Sequence, residues 1–310
     1  FYKILPKEDL LYLSNMISSI VIKKIGITGS ASREEIIKQY VSNMKETFFY
    51  SLEDVVGFDI KAAIFDFDGT ISTLRHGWEQ VMYDYMFEQL SRYYEDKEVL
   101  SEKIWQYIYE STGIQTIYQM EWLVDQVKAK GGTPLDRWEY KDGYNEALLK
   151  VVKGRTEKLL KGELEQKDFR IPGSKEFIEK LVDKGIKCYI ASGTDDVDIK
   201  REMKSVGVDH LLEDSQGAPE RKKDCPKASV YNRLIQLGYK PNEIMVIGDG
   251  KVEMNLGREN GSLTLGIACD EYNLEGIDVR KLDRLMEAGA HAVVIDFIDT
   301  DSIFKWMEGA

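Results

Sequence analysis

The chain has 310 residues, of which 43% are hydrophobic and 31% are charged, a composition typical of a globular protein long enough for two modest domains. Its net charge of -12 argues against a nucleic-acid partner, and it lacks any apolar run of the roughly 18 residues that a membrane span needs. The three cysteines are scattered without a CxxC pair, which favours a reduced, cytoplasmic setting over a disulfide or zinc framework.

Residues 1–56 are predicted to form a helical extension. Ile17 and Ile20 belong to one amphipathic helical face, which a break at residues 29–32 ends. Ser32 is predicted to cap a second helix, because Glu35 lies three residues further on and completes a capping box.

The hydrophobic pattern changes after this extension. Residues 60–65 read as a short apolar strand, whereas residues 74–165 carry almost no strand signal and are predicted to be long helices. From residue 171 onward, helices and strands alternate, which predicts a parallel, doubly wound sheet whose ligands bind at the carboxyl ends of its strands. The strands predicted in this part are 187–191, 244–247, 263–267 and 292–295.

Two aspartates, Asp66 and Asp68, directly follow the first predicted strand, and Gly69 and Thr70 come next. Side chains two residues apart on an extended segment point to the same side. One carboxylate could therefore attack phosphorus while the other exchanges a proton with the leaving oxygen and with water. The alternative is a strand end followed by an Asx-type turn.

Two further strand ends carry polar residues. Ser192, Gly193 and Thr194 offer hydroxyls and backbone N–H groups to a phosphate, although a plain helix cap would look the same. Asp249 and Glu253 follow the strand at 244–247, where carboxylates attract a hard cation such as Mg²⁺. Glu253 could equally be a solvated acid in the first turn of a helix.

A lysine is needed to neutralise the aspartates and a transferred phosphoryl group. Lys227 opens the helix that precedes the strand at 244–247, and is therefore the preferred candidate. Lys222 and Lys223 are its rivals, although such basic runs are usually solvated loops.

These four segments together resemble the signatures of the haloacid dehalogenase superfamily, a group of mostly Mg²⁺-dependent phosphatases. The segments are IFDFDGT (64–70), IASGT (190–194), PKASV with Lys227, and VIGDGKVE (246–253). The resemblance implies a Rossmann-like α/β core at 57–73 and 171–310, with a helical cap inserted at 74–170.

The same resemblance implies a role for each residue and an aspartyl-phosphate intermediate. Asp66 would be the nucleophile, Asp68 the general acid/base, Ser192 the phosphate hydroxyl and Lys227 the neutralising cation. Mg²⁺ would be held by Asp66, the backbone carbonyl of Asp68 and Asp249, with Glu253 as acidic support. Because dehalogenases of the family lack the second aspartate, Asp68 favours phosphoryl chemistry.

The segment at 18–36 resembles the C-terminal tail of ribokinase-like sugar kinases. This resemblance implies an upstream sugar kinase domain fused to the chain, and hence a sugar phosphate as the substrate. The alternative is a helical extension that packs on the core or on a second subunit, as in a homodimer.

Substrate specificity is expected to come from the cap and from the segment after the first motif. Arg75 could hold a second anionic group. His76 could face the site or be a capped or surface residue, and Trp78 could stack on a sugar or belong to the core. Asp195 and Asp196 could contact substrate hydroxyls, or they could equally be acids at the start of a helix.

The sequence thus predicts a phosphatase of small phosphorylated metabolites, with no nucleic-acid or membrane partner. Two alternatives stay open. One is a phosphomutase on the same scaffold, and the other is a non-catalytic module of a sugar-kinase fusion.

Overall fold

The computed structural model describes residues 17, 18, 20, 21, 30–43, 49–51, 55–221 and 225–309. Most of the predicted first helix, the break at residue 29, and the rival lysines Lys222 and Lys223 lie outside these residues. In the described part, a seven-stranded sheet is flanked by helices.

The strands run in the order β1-β7-β6-β5-β2-β3-β4. All neighbours are parallel except β1, which pairs with β7 in the antiparallel sense. The predicted parallel, Rossmann-like sheet is therefore confirmed. The strands are β1 (Phe49–Ser51), β2 (Ala62–Phe65), β3 (Lys187–Asp195), β4 (Asp214–Ala218), β5 (Ile244–Gly248), β6 (Leu263–Ile267) and β7 (Ala292–Val294).

The central strands β2, β5 and β6 are buried along their whole length, because helices cover both faces of the sheet. Such strands are continuous apolar runs, which made them visible in the sequence. The two edge strands, β1 and β4, were not predicted. β1 lies in the N-terminal extension and pairs with β7 at the edge of the sheet. Part of the extension is therefore strand rather than helix.

Outside residues 74–170, six helices follow the predicted alternation with strands, and the helix at 33–43 begins at the predicted cap. Their order and position agree with the sequence pattern to within a residue or two at each end. They are α1 (Arg33–Asn43), α6 (Ser174–Asp183), α7 (Asp196–Val206), α8 (Pro226–Gln236), α9 (Lys251–Asn260), α10 (Val279–Glu287) and α11 (Thr300–Met307).

Four helices lie within residues 74–170, where a helical insertion was predicted. The extent of this insertion as a separate domain stays a prediction. The helices are α2 (Trp78–Leu90), α3 (Lys97–Glu110), α4 (Thr116–Ala129) and α5 (Arg137–Leu160). Short 3-10 helices cover Ser91–Tyr93, Gln166–Phe169, Asp209–Leu211 and Pro241–Glu243.

Helix α1 begins with the predicted capping box. The Ser32 hydroxyl accepts a bond from the Glu35 N–H at 3.2 Å, and the Ser32 N–H donates to the Glu35 carboxylate at 2.7 Å. Buried residues of α1, Ile37 and Tyr40 among them, share one hydrophobic cluster with α10. The extension therefore packs on the core through α10.

The register of the sheet decides which loops meet. Phe65, at the end of β2, lies opposite Ile190 of β3 and Ile247 of β5. The residues that follow these three strands are therefore neighbours at the carboxyl edge of the sheet. In the described part of the chain, no helix has both the length and the apolar character to cross a membrane.

Candidate active site

A cavity of about 120 Å³ lies at the carboxyl edge of β2, β3 and β5, beneath helices of the insertion. Polar side chains from the sheet line one side, and residues of α2, α4 and α5 line the other. The lining includes Asp66, Asp68, Gly69, Arg75, Trp78, Thr112, Thr116, Gln119, Lys141, Asn145, Ser192, Gly193, Thr194, Asp195, Lys227, Asp249 and Glu271.

Asp66 is nearly inaccessible, with 7% of its surface exposed. Burial raises the pKa of its carboxyl to about 6, and the negative charges of Asp249 and Asp68 act in the same direction. The Lys227 ammonium, 3.4 Å from Oδ1 of Asp66, opposes this rise. At neutral pH the carboxylate is thus mostly ionised, poorly hydrated and positioned at the cavity, as a nucleophile requires.

Asp68 is fixed by hydroxyl groups from the next strand. Its Oδ2 accepts a bond from Thr194 Oγ1 at 2.7 Å and a longer one from Ser192 Oγ at 3.4 Å. Its Oδ1 is buried and has no hydrogen-bond partner within the described residues. This oxygen, which lies 3.7 Å from Nε of Arg75, is therefore the one left for proton exchange with a ligand.

The Ser192 hydroxyl also accepts a bond from the Thr194 N–H at 3.1 Å. Gly193 lies between them and lines the cavity. The end of β3 consequently holds Asp68 through two hydroxyls, and the binding of a phosphate by residues 192–194 stays a prediction.

Lys227 lies at the start of α8 and is buried together with Glu253. Its ammonium forms a very short contact with Oε1 of Glu253 and also faces Asp66. The structure thus brings Glu253 to the lysine. The other carboxylate oxygen of Glu253 is buried without a hydrogen-bond partner in the described part of the chain.

Asp249 follows β5 and is held by two basic side chains of α10. Arg284 donates to the Asp249 carbonyl at 2.8 Å and to its Oδ2 at 3.0 Å, and the Lys281 ammonium lies 2.9 Å from the same Oδ2. Burial alone would raise the pKa of Asp249, but these charges outweigh it and hold the pKa below its ordinary value.

Glu271, after β6, is a further acid at the cavity. It pairs with Lys281 at 2.5 Å, yet burial raises its pKa to about 7. Gly69 packs beside it with φ 72°, and a Cβ there would lie 2.6 Å from Oδ2 of Asp249 and 2.7 Å from Oε1 of Glu271.

Gly69→Ala is expected to destabilise the protein more than backbone strain alone explains. The left-handed conformation should cost about 1–2 kcal/mol, and the clash with Asp249 and Glu271 should add to it. Gly77→Ala is the matched control, because Gly77 has φ 84° and open space around its Cβ position. Denaturant unfolding of both variants measures the difference in stability. Equal losses of stability would show that Asp249 and Glu271 shift to make room without a further cost.

The carboxylates at the cavity suit one hard cation. Among the described residues, no three His, Cys, Asp or Glu side chains form a ready-made metal cluster. Mg²⁺ does not need one, since it commonly takes one or two carboxylates and completes its shell with water or phosphate oxygens. Asp66 and Asp249 both line the cavity, and Asp249 raises the pKa of Asp66. A cation would relieve this repulsion, so the residues present fit the metal.

The three residues expected to govern specificity are placed differently. Trp78 and Arg75 line the cavity, whereas His76 does not and instead contacts Thr73 and Arg155. The Arg75 guanidinium already has a bidentate partner, the buried carboxylate of Glu202, at 2.7 and 3.0 Å.

Sequence reasoning did not identify several residues at this site. Glu271 lies just after the end of β6, so the rule that ligands bind at strand ends could have found it. Lys281 and Arg284 are three residues apart on one helix and therefore share a face. Without knowing what that face meets, the sequence gives no signal that they contact Asp249.

Residues 60–261 match the family model of the haloacid dehalogenase-like hydrolases. The match spans more than half of the chain. The chain belongs to this family. The predicted family and the prediction of an enzyme of this type are thereby confirmed. A search of curated proteins found no match.

Solved structures of the same fold share little sequence with this haloacid dehalogenase-like hydrolase. β-Phosphoglucomutase from Clostridium difficile aligns with a TM-score of 0.55 at 14% identity, covering 81% of this chain and 98% of its own. A predicted phosphoglycolate phosphatase from Haemophilus somnus has a TM-score of 0.52 at 15% identity, over 79% of this chain and 98% of that one. A predicted phosphatase from Clostridium acetobutylicum gives 0.51 at 13%, over 81% and 100%. These likenesses support the fold.

Proposed function

We propose that the protein is a Mg²⁺-dependent phosphatase that hydrolyses a small phosphomonoester, a sugar phosphate, through an aspartyl-phosphate on Asp66. The observation that carries this proposal is the pair of aspartates at one cavity. Asp66 lies 3.4 Å from the Lys227 ammonium, and Asp68 is held by Thr194 at 2.7 Å. An attacking carboxylate, a cation and an acid/base are the groups that phosphoryl transfer to a carboxylate requires.

In the first step, a carboxylate oxygen of Asp66 forms a bond to phosphorus while the bond from phosphorus to the ester oxygen breaks. Asp68, in its protonated form, gives its proton to the departing oxygen, so that an alcohol leaves. Lys227 neutralises the charge that grows on the phosphoryl oxygens.

In the second step, Asp68 takes a proton from water. The resulting oxygen attacks phosphorus, and the bond between phosphorus and Asp66 breaks. Inorganic phosphate is released, and Asp68 is again protonated for the next turnover.

Asp66, the backbone carbonyl of Asp68 and Asp249 would hold Mg²⁺. The metal would supply positive charge that lets a phosphate dianion approach the carboxylates. Arg284 and Lys281 both contact Oδ2 of Asp249 and thereby fix its orientation, so that Asp249 would meet the cation through a carboxylate that is already positioned.

Phosphate release with Mg²⁺ and with a chelator, across sugar phosphates, nucleotides and phospho-amino acids, tests this proposal. We expect metal-dependent release from a few related sugar phosphates, and none from Asp66→Asn. A phosphomutase would instead need a bisphosphate and would release little phosphate. No release from any compound, with the fold intact, would favour the non-catalytic module and overturn the proposal.

Three further expectations stay predictions alongside this function. They are the cytoplasmic setting, the homodimer and the upstream sugar kinase domain. The small phosphorylated metabolite is the one partner that the proposed chemistry itself requires.

A further inference from the structure

We propose that the leaving-group side of the cavity accepts an uncharged, hydroxyl-bearing group and rejects a second anion, and that Asp195 sets this preference. The inference rests on the proposed phosphatase function and names the substrate class more closely. It concerns the part of the cavity around Asp68, where the departing oxygen takes its proton.

The first observation concerns the partners of the positively charged side chains at the cavity. Among the described residues that line the cavity, three are positively charged, namely Arg75, Lys141 and Lys227. Each already has a carboxylate partner. Lys227 pairs with Glu253 and faces Asp66. Arg75 is held bidentately by Glu202, which is fully buried. The bidentate geometry is the strongest form of such a pair and engages one edge of the guanidinium, while the carboxylates of Asp68 and Asp198 lie 3.7 and 3.8 Å from its nitrogens.

Lys141 is the third cation that lines the cavity. It is buried on α5, and its ammonium lies 2.5 Å from Oδ1 of Asp195. Asn145, one turn further along α5, donates to Oδ2 of Asp195 at 2.9 Å. Both carboxylate oxygens of Asp195 are thus engaged by the insertion, and the charge of Lys141 is neutralised.

The second observation is where this cluster lies. Asp195 directly follows Thr194, whose hydroxyl binds the proposed acid/base Asp68 at 2.7 Å. A leaving group that takes a proton from Asp68 is released into the cavity that Asp195 and Asn145 also line. A carboxylate oxygen has two lone pairs, so each oxygen of Asp195 can still accept a substrate hydroxyl.

The remaining lining on this side is neutral and polar. Thr112, Thr116 and Gln119 of the insertion also face the cavity. Hydroxyls and amides can bind a polyol, whereas a second phosphate or carboxylate would find each of the three cations that line the cavity already paired with a carboxylate. Specificity would thus arise partly from rejection of the wrong ligand.

The test compares a hexose monophosphate with the bisphosphate of the same hexose, each as a substrate and as a competitive inhibitor of p-nitrophenyl phosphate hydrolysis. The wild type should bind the monophosphate at least roughly tenfold better. Asp195→Asn frees the charge of Lys141 and should shift the ratio toward the bisphosphate by roughly tenfold. Asp196→Asn is the matched control, because Asp196 pairs with Lys200 at the surface at 2.6 Å and does not line the cavity.

The proposed phosphatase activity and the proposed preference for a monophosphate can be tested separately. Loss of p-nitrophenyl phosphate hydrolysis in the wild type would overturn the phosphatase itself. If that hydrolysis is intact, two results would overturn the specificity proposal alone. One is a wild type that prefers the bisphosphate, and the other is an Asp195→Asn ratio that matches Asp196→Asn. Thermal unfolding confirms that both variants are folded.

Discussion

Asp66→Asn is expected to abolish turnover and, without metal, to stabilise the fold. Turnover should fall by at least about 10⁴-fold, because an amide cannot form the covalent intermediate. Stability should rise because the carboxylate is buried beside Asp249 and Asp68, which raises its pKa from 3.8 to about 6. Removing its charge should add on the order of 1–3 kcal/mol to the free energy of unfolding at neutral pH.

The pH dependence of this stabilisation tests separately whether the ionised form of Asp66 destabilises the fold. Asp66 is ionised in both the folded and unfolded states only well above pH 6, so the wild type bears the whole penalty there. Well below pH 4 it is protonated in both states, and the penalty disappears. Wild-type stability should therefore fall as the pH rises through this window, whereas the variant should lack this component.

Denaturant unfolding in chelator between pH 4 and pH 7 measures the effect. Asp59→Asn is a suitable control, because the Asp59 side chain is 75% exposed and its surface contact with Lys61 is weak. That control should change stability by less than about 0.5 kcal/mol. An Asp66→Asn variant that is inactive and no more stable than the wild type at pH 7 would mean that the site does not strain the fold.

The polar residues at the strand ends could be predicted because each follows a short apolar run. β2, β5 and β6 are buried on both faces, so their sequences are uninterrupted and their ends are easy to place. Once the strands were known to be parallel, the grouping of Asp66, Ser192 and Asp249 followed from the sheet alone. The edge strand β4, with the sequence DSQGA, has no such run and gave no signal.

Pairings across the fold could not be predicted in the same way. Arg75 and Glu202 are 127 residues apart, and Lys141 and Asp195 are 54 apart. No local spacing connects such residues, because the packing of the insertion and α7 on the strand ends brings them together. The sequence therefore indicated that Arg75 binds an anionic group of the substrate. In the fold, Arg75 instead pairs with a carboxylate of the protein itself, that of Glu202.

Replacement of Lys227, which is buried beside Glu253, is predicted to cause a large loss of stability. Lys227→Met should reduce the free energy of unfolding by about 3–5 kcal/mol, because it leaves the Glu253 charge buried without its cation. Glu253 is 1% exposed, and its Oε2 already has no hydrogen-bond partner within the described residues. By comparison, Lys200→Met breaks an exposed pair and should cost less than about 1 kcal/mol.

The same variant should lose activity by at least about 10²-fold. Lys227 is the main influence that lowers the pKa of Asp66, so its loss should leave the nucleophile protonated over more of the neutral range. Any residual activity should therefore shift to higher pH.

Lys227→Met combined with Glu253→Gln separates the structural role of Lys227 from its catalytic role. Removing the orphaned charge of Glu253 should restore much of the lost stability, as unfolding of the single and double variants would show. Activity should not return, because Asp66 and the transferred phosphoryl group would still lack their cation. A double variant that regains wild-type turnover would mean that Lys227 serves only to neutralise Glu253, and that the phosphoryl group is stabilised by other groups at the cavity.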